Sequence, residues 1–343
     1  MIGELEKMGK TLERFFNDEY TRNTVEKPAL EQYQSKCFEL KQKLKELLGD
    51  FSEWDKATSS PVIEDVEQFD SYRRERMHVR LGNQLQVPFY VLTPRQEKAA
   101  YPVVLALHGH GYGPKQIIGL TKQGKTESIS ANQADYALQL VEQGCKVFVP
   151  ALLGIGERIF QIDAEEGKDK SCERLARLFL MQGKTLLGAR VWETGKLLDV
   201  ISSFDDVLPC NIGVFGFSGG AAVAGFTAIL DERLKATVLA GYPGLFRDSI
   251  LQQPHCLDNY LPGILKLSEL PGLLGLISPR PFFIESGEKD LLFPVESARL
   301  AISQLEMIYQ QNGKPGAFDF HIHDGGHEVD GSESYAWLIQ QLR

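Results

Sequence analysis

The sequence predicts an α/β fold, with a mostly parallel sheet of about eight strands flanked by helices on both faces. Three observations predict it. Near-continuous apolar runs of strand length recur between residues 102 and 323. Stretches with helical periodicity separate them. Two shorter alternating runs come first, as an antiparallel hairpin would. Apolar strands that alternate with helices belong to a sheet buried on both sides.

Residues 1–50 read as helices. From Leu30, a helical stripe carries Tyr33, Cys37, Leu40, Leu44 and Leu47, and Gly49 supplies a stop. The expected role is a helical appendage packed on the main body, ahead of a dimerisation arm or a mobile lid. Residues 51–75 read as irregular, broken at Ser59-Ser60-Pro61. The hairpin is placed at Met77–Leu81 and Val87–Thr93, around Gly82-Asn83.

Strands follow at Pro102–His108, Lys146–Pro150, Asn211–Phe217, Lys235–Ala240, Pro281–Ser286 and Phe318–His323. Helices are expected at Ala131–Gln143, Cys172–Gln182, Leu186–Phe204, Gly220–Leu230, Val295–Gln311 and Ser332–Leu342. The expected organisation is an N-terminal helical extension over 1–75 and one catalytic domain over 76–343. Residues 241–279 are too long for a simple connection and read as an insertion near the active site.

Composition narrows the function. Of 343 residues, 43% are hydrophobic and 24% charged, which excludes global disorder and fibrous repeats. The net charge of −9 argues against a nucleic-acid partner but not against a small anionic substrate. No apolar run of about 18 residues occurs, so no membrane span is expected. Charges interrupt the first twenty residues, unlike a signal peptide, so a cytoplasmic protein is expected. The five cysteines are odd in number, widely spaced and free of C-x-x-C, so neither a disulfide framework nor a zinc site is expected.

The chemistry concentrates at Gly216-Phe217-Ser218-Gly219-Gly220. A G-x-S-x-G string alone is weak. Here a strand ends directly before it and a helix opens directly after it, the setting of a nucleophile elbow. Ser218 is therefore the candidate nucleophile. A serine needs a base, and the base an orienting acid, in the order Ser, Asp or Glu, His for this arrangement. His321 and His323 alternate along a strand. His327 lies beyond it in Asp324-Gly325-Gly326-His327-Glu328 and is the candidate base. Asp290 is the candidate acid, with Glu288 in reserve. The amides of Gly219 and of His110, in His108-Gly109-His110-Gly111, are the candidate oxyanion donors.

Gly119–Thr126 formally matches a phosphate-binding loop. No strand leads into it and no strand ending in Asp offers magnesium a site, so a polar loop is the better reading.

These residues in this order resemble the α/β-hydrolase superfamily, and more narrowly its dienelactone-hydrolase-like and acetyl-xylan-esterase-like branch. Gly154-Ile155-Gly156-Glu157-Arg158, Ile277-Ser278-Pro279-Arg280-Pro281 and Phe293-Pro294 add to the likeness, which covers about residues 76–343. The resemblance implies a serine hydrolase acting on a small carboxylic ester through an acyl-enzyme, without metal or organic cofactor. Dienelactone hydrolases carry a cysteine nucleophile, so a serine at 218 points to the esterase side. His255, Cys256, Asn259 and Tyr260 look family-like and are the tentative substrate-binding residues. The alternatives are a peptidase or amidase on the same residues, a nucleotide-binding protein, or a non-catalytic binding module. A homo-oligomer is compatible with the sequence but not legible in it.

Overall fold

A computed structural model describes residues 2–24, 30–82, 84–126, 132–133 and 135–343. The predicted turn residue Asn83 and the side chain of Tyr33 lie outside that description.

Nine strands form one sheet. They are β1 (Val62–Gln68), β2 (Tyr72–Leu81), β3 (Leu85–Pro94), β4 (Tyr101–Leu107), β5 (Lys146–Pro150), β6 (Val207–Phe217), β7 (Leu234–Ala240), β8 (Phe282–Gly287) and β9 (Phe318–His323). The helices are α1 (Ile2–Asn23), α2 (Leu30–Leu48), α3 (Tyr136–Glu142), α4 (Gln161–Glu165), α5 (Cys172–Leu180), α6 (Leu186–Ile201), α7 (Gly219–Leu230), α8 (Leu270–Leu274), α9 (Val295–Gln311) and α10 (Ser334–Gln341).

The strand order is β1-β2-β3-β5-β4-β6-β7-β8-β9. The first three strands, and β3 with β5, pair antiparallel; every pair from β5 to β9 is parallel. The sheet is therefore mixed, with one strand more than the sequence suggested. The extra strand is β1, inside the stretch read as irregular. Its residues VIEDVEQ are exposed throughout, so no buried face leaves an alternating pattern. Backbone pairing and charge hold it instead. Glu67 accepts from Arg74 at 2.8 Å, and Glu64 from Arg76 at 2.7 Å.

Period-two alternation splits the core into two layers. Val103, Leu105 and Leu107 of β4 share one buried layer with Val223 and Phe226 of α7 and Leu305 of α9. Val104 and Ala106 point the other way, into the layer that holds Leu140 of α3 and Leu338 of α10. Each such large side chain withdrawn from water contributes roughly 1.5–3 kcal/mol. The N-terminal helical extension joins the first layer through Leu44 and Leu48, which are fully buried or nearly so.

The chain runs from β4 outward to β5, then crosses back past β4 to β6. The connections leaving β4 and β6 consequently diverge to opposite faces. Such a switch point leaves a crevice at the carboxyl ends of the two strands, where open α/β sheets bind ligands. Ser218 and the His108–Gly111 loop lie there.

Candidate active site

Ser218 occupies the sharp turn between β6 and α7, at φ +53° and ψ −120°. A non-glycine residue holds this conformation only where its surroundings impose it. Two glycines make the turn possible. A Cβ at Gly216 would lie 2.5 Å from the Gly220 carbonyl oxygen, and one at Gly220 would lie 2.0 Å from that of Leu107. The strain thus keeps a half-buried hydroxyl standing above the sheet.

His327 lies in the loop after β9. Its Nε2 is 2.9 Å from Ser218 Oγ and its Nδ1 is 2.8 Å from Asp290 Oδ2. A carboxylate only accepts, so Nδ1–H donates to Asp290 and Nε2 is left to accept from the serine. Phe293 stacks on the His327 ring at 5.6 Å and Phe217 packs at 4.8 Å, which fixes its plane.

Asp290, buried after β8, is itself held. Its Oδ1 accepts from the amides of Leu292 at 2.8 Å and Phe293 at 2.9 Å. These two amides fix the orientation of the carboxylate. The acid and histidine loops are also stitched together. Glu288 N–H donates to the His323 carbonyl at 2.8 Å and Lys289 N–H to that of Gly325 at 2.9 Å. The Glu288 side chain turns outward to Arg299, and Glu328 accepts from the Gly326 amide.

The loop after β4 sets two histidines in opposite electrostatic states. His108 is fully buried. Its Nδ1–H donates to the Gly109 carbonyl at 2.8 Å while Nε2 accepts from the Leu152 amide at 3.2 Å. That arrangement requires the neutral ring, and burial pushes its pKa down to about 4. His110 Nε2 lies 2.8 Å from Asp258 Oδ2. Burial opposes its charge, but Asp258 and then Cys256 together outweigh burial and raise the pKa to about 9. Its ring covers Gly219, where a Cβ would come within 2.9 Å of it. Gln133 was not foreseen. It accepts from the Gly109 amide at 2.8 Å and donates to the His110 carbonyl at 3.3 Å, fixing this loop. The His110 amide makes no hydrogen bond to another described residue. Gly219 opens α7, where a helix amide has no acceptor one turn back.

A second cluster, absent from the sequence expectations apart from His110 and Cys256, lies on the far side of His110. Arg190 donates to Asp258 Oδ2 at 2.6 Å, to Cys172 Sγ at 3.2 Å and to the Leu153 carbonyl at 2.9 Å. Lys170 Nζ donates to Cys256 Sγ at 3.0 Å. Donor atoms of His110, Cys172 and Cys256 all lie within 4.8 Å of one another, the spacing of a three-ligand metal set. A signal for part of this was present: Arg190 stands among apolar residues in the first half of α6, Leu-Leu-Gly-Ala-Arg-Val-Trp.

Of the tentative substrate-binding residues, His255 packs on Phe293 at 5.1 Å, one ring removed from His327. Cys256 belongs to the second cluster. Asn259 and Tyr260 are engaged inside the insertion: Asn259 donates to Asp258 Oδ1 at 3.0 Å and Tyr260 to the Ile250 carbonyl at 3.0 Å. Two family-like motifs have structural work. Arg158 pairs bidentately with buried Glu193 at 2.7 Å. Arg280 donates to the Leu234 carbonyl at 2.6 Å and to that of Asp231 at 3.1 Å, tying together the chain between α7 and β7.

The formal phosphate-loop match forms a tight turn. Thr121 N–H donates to the Lys125 carbonyl at 2.8 Å, and Leu120 bridges Thr126. A short 3-10 turn, Pro114–Ile118, precedes it where a phosphate loop needs a strand. Among the described residues, no single helix is long and apolar enough to cross a membrane.

Comparison with known proteins places this geometry in a family. The family described as "Abhydrolase family" matches residues 23–323. A protein of Bacillus subtilis (strain 168) named "Putative hydrolase YtaP" is 27% identical over 299 residues, which is 84% of this chain and 93% of that protein. Among solved structures, one described as a "putative acetyl xylan esterase" from Bacteroides fragilis NCTC 9343 superposes with a TM-score of 0.72 at 18% identity, covering 88% of this chain and 80% of that one. A glucuronoyl esterase from Solibacter usitatus gives 0.65 at 14% identity, covering 92% and 93%. These structures share the α/β-hydrolase fold seen here.

Proposed function

The chain belongs to the Abhydrolase family, and from that premise we propose that it is a serine hydrolase of small carboxylic esters. The observation that carries this reading is the continuous hydrogen-bonded order Asp290, His327, Ser218, at 2.8 Å and 2.9 Å. Ser218 Oγ attacks the ester carbonyl as His327 Nε2 takes its proton. The amides of Gly219 and His110 receive the developing oxyanion. Asp290 holds the imidazole in the tautomer that leaves Nε2 free and stabilises the imidazolium that follows. His327 then protonates the leaving alcohol. Water repeats the steps on the acyl-enzyme and releases the acid.

Small substrates are favoured by the walls. Phe293 and Tyr242, both buried, pack on each other at 5.4 Å beside the His327 ring. Such a wall suits an acetyl to butyryl group beside a polar alcohol. Acetyl esters of sugars fit that description, and the structural relatives named as carbohydrate esterases support it. The specificity constant should peak at acetate or butyrate among p-nitrophenyl esters. Each methylene the pocket cannot take should cost roughly 1–3 kcal/mol in the transition state. A maximum at octanoate would overturn the small-pocket reading.

A further inference from the structure

We propose that Cys172 and Cys256 form a peroxide-reactive dithiol, a modification site beside the serine centre but chemically separate from it. Four observations carry this. The sulfurs approach within 4.8 Å, together with His110 Nε2. Each sulfur accepts from a cation, Cys256 from Lys170 at 3.0 Å and Cys172 from Arg190 at 3.2 Å. Cys256 is half-buried beside Lys170, which lines an open cleft together with the buried Cys172, so a small oxidant has access. Finally, Cys172 opens α5 while Cys256 sits just before the short turn Leu257–Asn259 of the insertion, two segments that pack together.

Electropositive, partly exposed surroundings favour the thiolate, which is the reactive form. Cys256, half-buried and held by Lys170 at 3.0 Å, is the more exposed of the two sulfurs, whereas Cys172 is buried. Cys256 is thus the attacking sulfur, and buried Cys172 the partner that closes the bond. The same surroundings argue against a resident dication. A metal at these three donors would stand beside both Arg190 and Lys170, and His110 Nε2 is already committed to Asp258 at 2.8 Å. A Cys172-His110-Asp258 nucleophile is excluded by geometry, because Asp258 and Cys172 meet the same ring nitrogen, Nε2.

The chemistry balances with hydrogen peroxide as the oxidant. Cys256 thiolate attacks one peroxide oxygen, an S–O bond forms, the O–O bond breaks, and hydroxide leaves to become water. Cys172, losing its proton, then attacks the Cys256 sulfur. An S–S bond forms, the S–O bond breaks, and a second water leaves. The two cysteines are oxidised by two electrons and one peroxide is reduced.

The test is stoichiometric peroxide on the fully reduced protein, followed by peptide mapping. A linked Cys172–Cys256 peptide, lighter by two hydrogens, should form at least about tenfold faster than Cys37 or Cys145 reacts. Those two are internal references, since burial raises both thiols. In Cys172→Ser, Cys256 should accumulate as a sulfenic acid trapped by dimedone. In Lys170→Ala, the wild-type disulfide should form at least about threefold more slowly. Oxidation no faster than at the reference cysteines would overturn the proposal without any variant. So would submicromolar zinc binding by the reduced chain that protects both thiols, which would make the cluster a metal site.

Discussion

Two polar clusters meet at Gly219, and they are built on opposite principles. On one side, Ser218, Asp290 and His327 each follow the carboxyl end of a strand, β6, β8 and β9. Backbone amides hold Asp290, aromatic rings hold His327, and backbone strain holds Ser218. The reacting atoms are thereby left without competing charge. On the other side, His110, Asp258, Arg190, Cys172 and Cys256 come from a loop, the insertion and two helices. There Arg190 and Asp258 pair out of water, and half-buried His110 meets the same carboxylate. In the proposed function, the first arrangement preserves reactivity at one hydroxyl. The second uses charge to anchor the insertion over the sheet. Substitutions on the first side should therefore appear in rates, and on the second side in stability.

The largest contrast is between two aspartates. Asp290→Asn keeps the size of the side chain but no longer enforces the His327 tautomer. Ester turnover should fall on the order of 10⁴-fold, as for the equivalent change in serine hydrolases of another fold, with the unfolding midpoint little moved. Asp258→Ala should do the reverse in stability. It strands the buried Arg190 guanidinium, now 2.6 Å from Asp258. Breaking a buried pair from one side costs about 3–5 kcal/mol. Denaturant titration measures it, and a loss under about 1 kcal/mol would erase the contrast.

A smaller effect separates His108 from His110. His108 has a folded pKa depressed to about 4, against about 6.5 unfolded. The unfolded chain therefore binds its proton first. Stability from the neutral ring is present above about 6.5 and is lost as pH falls toward about 4, by about 3 kcal/mol in total. His110 runs the other way. With its folded pKa raised to about 9, its contribution is full below about 6.5 and lost as pH rises through about 9. Stability measured against pH for the wild type and for His108→Asn should diverge across the acid window. Parallel curves would contradict the assignment.

The smallest effect belongs to Glu288. It pairs with Arg299 in the open, at 46% and 48% side-chain exposure. Glu288→Gln should alter turnover by no more than about twofold, since such surface pairs contribute little. A loss comparable to that of Asp290→Asn would exchange the roles of the two acids.

The first cluster was legible because local chemistry writes it. A strained turn demands flanking glycines, strand ends announce themselves by the close of apolar runs, and chain order separates His327 from His321 and His323. The bounds of β5, α9 and β9 follow directly from hydrophobic periodicity. Strand β1 escaped because an edge strand exposed on both sides has no periodic signature. The second cluster escaped for a different reason. Cys172 and Cys256 are 84 residues apart, and spacing rules for thiols see only neighbours in sequence. Gln133 likewise reaches the β4 loop across 24 residues, with no motif to mark it.

The proposed chemistry depends most directly on Ser218 as the nucleophile. Intact-mass and peptide analysis after treatment with a fluorophosphonate should find one adduct per chain, on Ser218. In Ser218→Ala the adduct should vanish and ester turnover should fall on the order of 10³-fold or more. An adduct on a different serine, or turnover that survives the substitution, would contradict it.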